Sequence, residues 1–438
     1  MADFEERRLP VGIQSFKEIR RNNYAYVDKT EIVWNLVNRG KKYNYLSRPR
    51  RFGKSLLVDT LQTYFEGRSD LFEGLKIMNL EKEWKKSPVI RLDMSRAGAS
   101  EKTIRSYLGM AFSREEAKYG IAMHEGASLA DRFDTIIQTA YQQTGESVAI
   151  LIDEYDSPLQ HSWKTPDHEA CTAVYREVFA ILKADDEYER FVFITGITKF
   201  TQISLFSVLN NLSNISFDEP FAAICGITTR EITDYFGPEV KAMGEANGWT
   251  EEETMARLKT NYDGYHFCRS NMVDVYNPFS LVNALADKDI KNYWATSGAT
   301  SLLLKFVDDM EIKLTDYDHS AILSTIIETS DVTGGGAELF LYQSGYLTIK
   351  GYMNGLYLLG FPNHEVRQAL YETVLPALAM RKRGDIQSAQ AYLYMHIIDN
   401  RYTEPFKADK RKVIALAVEL DDQGKGLVDW KQVGVTEQ

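Results

Sequence analysis

Residues suited to binding phosphate stand together near the beginning of the chain. The sequence from Tyr43 to Ser47 predicts a short strand, a basic loop follows it, and Gly53-Lys54-Ser55 opens a predicted helix. In a P-loop, backbone N–H groups and a lysine ammonium converge on phosphate oxygens, while a serine hydroxyl completes the coordination of Mg²⁺. The predicted nucleotide-binding residues of this segment are Arg50, Arg51, Phe52, Gly53, Lys54, Ser55 and Leu56.

The loop departs from the usual P-loop pattern at its first position. That pattern begins with a glycine five positions before Gly53, where this chain has Arg48, followed by the stiff Pro49. A Gly-Lys-Ser triplet also occurs at ordinary helix starts, and a basic run also occurs in solvated surface loops. These alternatives stay open for the loop taken alone.

A second group of candidate residues follows a continuous apolar run from Val148 to Ile152. The run ends in Asp153 and Glu154, as expected for a buried parallel strand that delivers carboxylates at its carboxyl end. Asp153 is predicted to hold the Mg²⁺ shell together with Ser55, and Glu154 to orient and deprotonate an attacking water. The alternative is a buried strand that ends in two solvated acids, and the presence of the basic loop disfavours it.

Two further apolar segments, Pro88 to Asp93 and Phe191 to Gly196, complete a predicted doubly wound parallel sheet of the α/β class. The helix after the loop carries Leu57, Leu61, Tyr64 and Phe65 at helical spacing, so one face is predicted to lie on the sheet. Thr195 and Lys199 follow a strand expected beside the acidic one, and they are predicted to contact phosphate. The alternative is a turn residue with a solvated lysine. Tyr155 and Asp156 are predicted to hold a turn.

Blocks along most of the chain resemble the bacterial AAA-ATPase-like family. In that family Arg-Pro-Arg-Arg-Phe-Gly-Lys-Ser is the ordinary form of the loop, so the resemblance accounts for the missing glycine. It also implies ATP rather than GTP as the nucleotide. The blocks lie between about Leu9 and about Val366, and they are Leu9-Pro10-Val11-Gly12-Ile13-Gln14-Ser15-Phe16, Tyr26-Val27-Asp28-Lys29-Thr30, Ser47-Arg48-Pro49-Arg50-Arg51-Phe52-Gly53-Lys54-Ser55, Ile152-Asp153-Glu154-Tyr155-Asp156, Thr195-Gly196-Ile197-Thr198-Lys199-Phe200, Asn210-Asn211-Leu212, Tyr262-Asp263-Gly264-Tyr265 and Tyr276-Asn277-Pro278-Phe279-Ser280-Leu281.

The resemblance implies three parts: a P-loop ATPase-like domain at residues 1–215, a helical and winged-helix lid at 216–370, and a truncated nuclease-like remnant at 371–438. Members of the family usually end in a PD-(D/E)XK nuclease domain, but the metal-binding Asp and Glu-x-Lys expected before the last helix and hairpin are missing near residues 388–390. Glu-x-Lys triplets at Glu83, Glu239 and Glu311 fall elsewhere and indicate solvated faces. Nuclease activity is therefore not expected.

The middle of the chain is predicted to be mainly helical, with Asn277-Pro278 as a helix start. After a glycine-rich break at residues 333–336, a helix is expected near Leu339 to Gln343, followed by two strands joined through Asn354-Gly355, a strong hairpin signal. A helix followed by a hairpin resembles a winged helix. It is expected to serve as a lid or protein-docking module, with DNA binding as the alternative.

Composition limits the possible classes of function. The chain has 438 residues, 44% of them hydrophobic, a net charge of −11 and a pI near 5.3, which argues against nonspecific coating of nucleic acid. Its three cysteines and seven histidines show no ligand-like spacing, so structural zinc and disulfides are not expected. No apolar run suits secretion or a membrane span, so a cytoplasmic location is expected.

Together these features predict an Mg²⁺-dependent ATP-binding P-loop protein that hydrolyses ATP, with Lys54, Asp153 and Glu154 as catalytic residues. The alternatives are a nucleotide-operated switch with little turnover and a DNA-binding regulator. A homo-oligomer, in which a neighbouring subunit supplies an arginine to the site, also fits this hypothesis. Arg96 and Arg190 are two candidates for such an arginine, and the sequence does not rank them.

Overall fold

Five parallel strands form the central sheet of the computed structural model, which describes residues 7–124, 126–198, 212–270, 273–294, 320–329, 336–370, 414–420 and 427–435. Every residue of the third strand is buried, as expected for a parallel strand covered on both faces. The predicted α/β fold with a parallel sheet is confirmed. The strands are β1 (Tyr43–Ser47), β2 (Val89–Asp93), β3 (Val148–Asp153), β4 (Glu189–Gly196) and β5 (Ser213–Asn214).

The strand order is β2–β3–β4–β1–β5. From β1 the chain crosses to the far edge, returns through β2, β3 and β4, and then passes β1 to reach β5. Ligands of open parallel sheets bind at the carboxyl ends of strands where the order changes direction in this way. Pairing of Leu46 with Thr195 and of Ile152 with Ile194 brings the carboxyl ends of β1, β4 and β3 to the same edge.

Helices connect these strands and cover the sheet. The helix after β1 buries Leu57, Leu61, Tyr64 and Phe65, which confirms the predicted apolar face. The helices of this part are α1 (Phe16–Arg21), α2 (Thr30–Asn38), α3 (Lys54–Phe65), α4 (Ile77–Leu80), α5 (Glu101–Tyr119), α6 (Leu129–Thr144), α7 (Ser157–Ser162), α8 (His168–Phe179) and α9 (Ile181–Ala184), with 3₁₀ turns at Ser69–Phe72, Met94–Arg96, Asp186–Tyr188 and Glu219–Phe221.

Three helices follow the sheet and share a small core of their own: α10 (Thr229–Asn247), α11 (Glu251–Tyr262) and α12 (Pro278–Asp287). The first two begin with capping boxes built on Thr228 and Thr250. Helix α12 begins as predicted, since the Asn277 side chain accepts from the Ser280 N–H and Pro278 occupies the first turn. Tyr265 and Phe267, in the connection between α11 and α12, belong instead to the main core.

The predicted helix and hairpin follow, and the two hairpin strands belong to a three-stranded antiparallel sheet of order β6–β8–β7. Asn354 and Gly355 both have positive φ angles, 52° and 82°, as a two-residue hairpin turn requires. The helix-hairpin prediction is confirmed, and its assignment as a winged-helix lid remains an interpretation. The elements are β6 (Ala321–Leu323), α13 (Ser324–Thr329), α14 (Gly336–Ser344), β7 (Thr348–Met353) and β8 (Leu356–Gly360).

A last antiparallel pair, β9 (Ile414–Leu420) with β10 (Leu427–Val435), is the described part of the predicted nuclease-like remnant. Of the Glu-x-Lys triplets, Glu83 is exposed before β2, Glu239 lies on α10 near Arg7, and Glu311 lies outside the described residues. The boundaries at residues 215 and 370 remain predictions. Throughout the described ranges, none of the helices combines the length and apolar character needed to cross a bilayer.

Candidate functional site

The loop after β1 leads directly into α3 with an open helix start. Gly53 has φ +86° and Arg51 has φ +68°, so two left-handed residues turn the chain from the strand into the helix. An added Cβ at Gly53 would meet no atom within 4 Å, so backbone conformation rather than crowding favours glycine there. No side chain in the described part of the molecule caps α3, and first-turn N–H groups of such a helix suit an anion.

Lys54 is the first residue of α3, and its side chain turns back into the loop. Its Nζ donates to the carbonyl oxygens of Arg48 at 2.9 Å and Pro49 at 3.0 Å, and the residue is 5% exposed. Burial lowers the pKa of the Lys54 ammonium, while the carboxylates of Glu154 and Asp153 act in the opposite direction. The ammonium is thus fixed between the loop and the acidic end of β3.

The two predicted acidic residues lie at the end of β3 and are joined through Thr195 at the end of β4. The Thr195 hydroxyl donates to Asp153 Oδ1 at 2.5 Å and accepts from the Glu154 N–H at 3.2 Å. Glu154 has φ +49°, which turns it away from the strand direction of Asp153. Burial raises the pKa of the Glu154 carboxyl, and the Lys54 ammonium opposes that shift.

Asp156 holds the turns that follow β3 and β4 against each other. Its Oδ2 accepts from the N–H groups of Ile197 at 2.9 Å and Thr198 at 2.6 Å, and from the Thr198 hydroxyl at 2.7 Å. The Tyr155 hydroxyl donates to the Thr198 carbonyl at 3.0 Å. These contacts agree with the prediction that Tyr155 and Asp156 hold a turn. They also fix the turn that follows Thr195 at the end of β4.

A cavity of about 490 Å³ opens at this edge of the sheet. Its polar end is formed by residues 50–57 and Glu154, and the other lining residues include two groups that sequence reasoning did not assign to the site. The first group is residues 10–14 with Tyr26, Val27 and Lys29, and the second is residues 224–227 with Phe236, Phe279, Val282 and Asn283. Blocks at residues 9–16 and 276–281 carried the family resemblance, but nothing in their composition indicated a shared cavity.

The predicted site residues divide into three groups. Arg50, Arg51, Phe52, Gly53, Lys54, Ser55, Leu56 and Glu154 line the cavity. Asp153 and Thr195 are buried beside it and are not among its lining residues. Lys199 lies outside the described residues.

Ser55 and Asp153 are the two residues predicted to hold Mg²⁺, of which Ser55 lines the cavity and Asp153 is buried beside it. Over the described ranges, no group of three His, Cys, Asp or Glu side chains is placed to hold a metal ion. Mg²⁺ in nucleotide sites commonly uses one or two protein oxygens together with phosphate oxygens and water, so a hydroxyl and one carboxylate fit that ion. The donor set suits Mg²⁺ bound with a phosphate rather than a site made by the protein alone.

Neither of the two arginine candidates from the sequence lines the cavity, although Ser95, next to Arg96, does. Arg96 is largely exposed and pairs with Asp93 at 2.9 Å. Arg190, at the opposite end of β4 from Thr195, donates to the carbonyl of Lys85 at 3.0 Å. The supply of an arginine by a neighbouring subunit remains a prediction.

Comparisons with known proteins place the chain in a family. A model of predicted AAA-ATPases, the AAA-ATPase-like family, matches residues 10–206. A relative from Azotobacter chroococcum mcd 1, described as an uncharacterized protein in the vnfD 5′ region, is 31% identical over 396 residues, covering 87% of this chain and 73% of that protein. The chain belongs to the predicted AAA-ATPase family.

Solved structures with partial similarity to this family member include two archaeal proteins. The ORC2 protein of Aeropyrum pernix, in ADPNP–ADP complexes, is 11% identical with a TM-score of 0.33, covering 80% of this chain and 94% of its own. Cdc6p of Pyrobaculum aerophilum is 11% identical with a TM-score of 0.27, covering 79% of this chain and 92% of its own.

Proposed function

We propose that the protein binds ATP with Mg²⁺ in this cavity and hydrolyses its terminal phosphoanhydride bond. The observation that carries the proposal is that one cavity is lined by a helix start without a side-chain cap, a buried lysine and a half-buried glutamate, contributed by residues 53–55 and by Glu154. Membership in a family of predicted AAA-ATPases supports ATP as the nucleotide.

The phosphates would lie at the start of α3. The first-turn N–H groups point along the helix axis toward an anion, and the positive end of the helix dipole favours its charge. Two of the three N–H groups of the Lys54 ammonium donate to loop carbonyls, which leaves the third for a phosphate oxygen. Arg50 and Arg51 add positive charge to the same wall of the cavity.

Ser55 and Asp153 would hold Mg²⁺. Held there, Mg²⁺ would supply electrostatic stabilisation of the negative charge on the phosphates. The Thr195 hydroxyl keeps one oxygen of Asp153 in place through its hydrogen bond. Asp153 is therefore oriented from the neighbouring strand before any ligand arrives.

Glu154 would orient and deprotonate the water that attacks the terminal phosphorus. A general base must be ionised, and a pKa raised by burial makes its carboxylate a stronger proton acceptor. The fraction of ionised Glu154, and with it turnover, is expected to fall as the pH drops through this raised pKa. The proton taken from the water would reside on Glu154 until product leaves.

The apolar walls would hold the base and sugar. Tyr26, Val27, Phe279 and Val282 line the cavity away from the phosphate end, and apolar and aromatic side chains suit the flat faces of a purine. Arg51 lies with its guanidinium carbon 4.8 Å from the centre of the Phe279 ring, so the phosphate loop contacts the wall formed by α12.

A binding test compares the wild type with Lys54→Ala in thermal unfolding with ATP and Mg²⁺. ATP at about a hundred times its Kd should add about 2.7 kcal/mol to the stability of the wild type. Lys54→Ala should lose most of that gain, whereas Lys17→Ala, which removes a surface lysine paired with Glu66, should keep it. A wild type that gains no stability at millimolar ATP would contradict the proposal.

A turnover test uses steady-state phosphate release. Glu154→Gln should retain ATP binding and lose turnover, because the amide cannot accept the proton. Glu177→Gln, which changes a glutamate paired with Arg105 on the neighbouring helix, is the control and should leave turnover unchanged. Unchanged turnover in Glu154→Gln would remove this residue from the base role.

A second candidate function is a nucleotide-operated switch that binds ATP tightly with little turnover. Contacts between the loop and the chain beyond the sheet favour it, since the Phe52 ring lies 4.7 Å from the Tyr265 ring between their centres. The same phosphate-release assay separates the two functions. Tight ATP retention with negligible release in the wild type would support the switch.

A further inference from the structure

We propose that Arg48 is a positioning residue for phosphate binding: its buried guanidinium anchors the loop to residues 216–221 and to Phe267. This inference rests on the proposed function, because it concerns how the same loop is held for a nucleotide. It assigns a role to the position at which the usual P-loop pattern has glycine.

The guanidinium of Arg48 is enclosed by backbone carbonyls and an aromatic ring. Nη1 donates to the carbonyls of Ser47 at 2.8 Å and Ser216 at 2.9 Å, and Nη2 donates to the carbonyl of Phe221 at 2.9 Å. The guanidinium carbon lies 4.0 Å from the centre of the Phe267 ring, and the residue is 1% exposed. A cation buried against neutral acceptors is costly, so its retention here indicates a specific task.

The backbone of Arg48 transmits this anchoring to the predicted phosphate ligand. Its N–H donates to the carbonyl of Gly196 at 3.3 Å, and its own carbonyl accepts from Lys54 Nζ at 2.9 Å. The side chain of Arg48 therefore holds the Arg48 backbone in place, and the carbonyl of that backbone in turn positions Lys54. Arginine suits this task because its planar fork reaches several acceptors while stacking on a ring, which a lysine ammonium cannot do.

Neighbouring loop residues pack on the same part of the chain. Phe52 is 1% exposed, with its ring centre 4.7 Å from that of Tyr265 and 5.4 Å from that of Phe267. An added Cβ on Gly345 would lie 2.6 Å from Cβ of Pro49, so the loop also touches the chain before β7. The bulky loop residues Pro49 and Phe52 thus add contacts that hold the loop against the chain beyond the sheet.

The test compares Arg48→Lys with Arg132→Lys. Arg132 is the control, because its guanidinium also donates to a backbone carbonyl, that of Gly109 at 3.0 Å, and lies 6.0 Å from the Phe112 ring, on α6, which does not line the cavity. Two measurements are made on the full chain: ATP affinity by titration with Mg²⁺, and hydrogen exchange of residues 49–57 without nucleotide.

Arg48→Lys should weaken ATP affinity by about tenfold or more and speed exchange in residues 49–57, because an ammonium cannot replace the fork. Arg132→Lys should leave both unchanged. If Arg48→Ala also folds, added guanidinium ion should restore part of its ATP affinity, which a merely structural defect elsewhere would not allow.

The outcomes separate the two proposals. A wild type that binds ATP, with Arg48→Lys showing unchanged affinity and unchanged exchange in the loop, would overturn the role of Arg48 and leave the proposed function intact. A wild type that does not bind ATP would overturn both. Weaker affinity and faster loop exchange confined to the Arg48 variants would support the positioning role.

Discussion

Thr195, at the end of β4, forms hydrogen bonds with both candidate catalytic acids at the end of β3. Its hydroxyl donates to Asp153 and accepts from the Glu154 backbone, so the side chain links the proposed metal ligand to the proposed base. It is fully buried, and its neighbours Ile197 and Thr198 are held by Asp156. Thr195 therefore contacts both acids and is not among the residues that line the cavity, and its predicted contact with phosphate remains a prediction.

Thr195→Val should reduce phosphate release strongly while ATP affinity changes little. The valine keeps the shape but leaves one Asp153 oxygen without its donor, which should also cost about 1–3 kcal/mol of stability. The control is Thr63→Val, which removes a buried hydroxyl that donates to the Asp59 carbonyl within α3. Equal turnover in the two variants would show that Thr195 has no part in the chemistry.

Glu189 lies at the amino end of β4, the strand that carries Thr195, and it makes the stability of the protein depend on pH. Its Oε2 accepts from the Tyr43 hydroxyl at 2.6 Å, and burial raises the pKa of its carboxyl to about 8, with Lys42 acting against the shift and Asp185 and Asp186 adding to it. The folded protein therefore keeps a proton that the unfolded chain releases above about pH 4. The contribution of Glu189 to the free energy of unfolding is fully present below about pH 4 and decreases as the pH rises to about 8.

Glu189→Gln should remove this pH dependence, since the amide stays neutral throughout. The free energy of unfolding of the wild type, relative to that of Glu189→Gln, should fall by a few kcal/mol from about pH 4 to about pH 8. Chemical denaturation at several pH values measures the difference, with Glu177→Gln as the control. A difference that is constant over this range would contradict the assignment of a buried neutral carboxyl.

At the scale of elements, the junction between β1 and α3 determines what the loop can bind. The strand ends in a parallel sheet, so the next helix starts at the carboxyl edge, where the strand-order change leaves a crevice. Gly53 makes the turn with a positive φ, and the helix start is left without a side-chain cap in the described part of the chain. The proposed phosphate site thus depends on the backbone of this junction as well as on its side chains.

Gly53→Ala should cost about 1 kcal/mol of stability and weaken ATP binding. The cost is backbone strain alone, because the added Cβ meets no atom within 4 Å. Gly120→Ala is a matched control: Gly120 ends α5 with φ +65° and is equally uncrowded. Both variants should lose similar stability in chemical denaturation, and only Gly53→Ala should bind ATP more weakly; equal affinities would contradict the assigned role of the junction.

At the scale of the whole molecule, the cavity joins parts of the chain that are far apart in sequence. The phosphate loop, residues 10–14 and α12 each supply a wall. The loop is also packed on Tyr265 and Phe267, and the Tyr265 hydroxyl donates to the carbonyl of Gly345 at 3.1 Å, next to the hairpin. A ligand in the cavity therefore contacts both the sheet and the helices that follow it.

ATP with Mg²⁺ should slow hydrogen exchange in three segments together: residues 10–14, 50–57 and 278–283. A ligand that fills a shared cavity stabilises each wall against local opening. Helix α6, whose residues do not line the cavity, is the internal control and should be unaffected. Protection limited to residues 50–57 would show that the apolar walls do not hold the base.

Local patterns in the sequence predicted those features that depend on neighbouring residues. The apolar run before Asp153 indicated a buried strand, Asn277-Pro278 a helix start, and Asn354-Gly355 a hairpin, because burial, capping and turn geometry act over a few residues. The candidate residues Lys54, Ser55 and Glu154 were recognised in the same way, and all three line one cavity.

The anchoring role of Arg48 and the apolar walls at residues 10–14 and Phe279 could be assigned only from the tertiary structure. Each depends on contacts between segments separated by many residues, and a local pattern contains no information on which distant carbonyl or ring will meet a side chain. The sequence by itself therefore determined the phosphate loop and its strand and helix. Packing across the chain decided how that loop is held, and which apolar residues complete the cavity beside it.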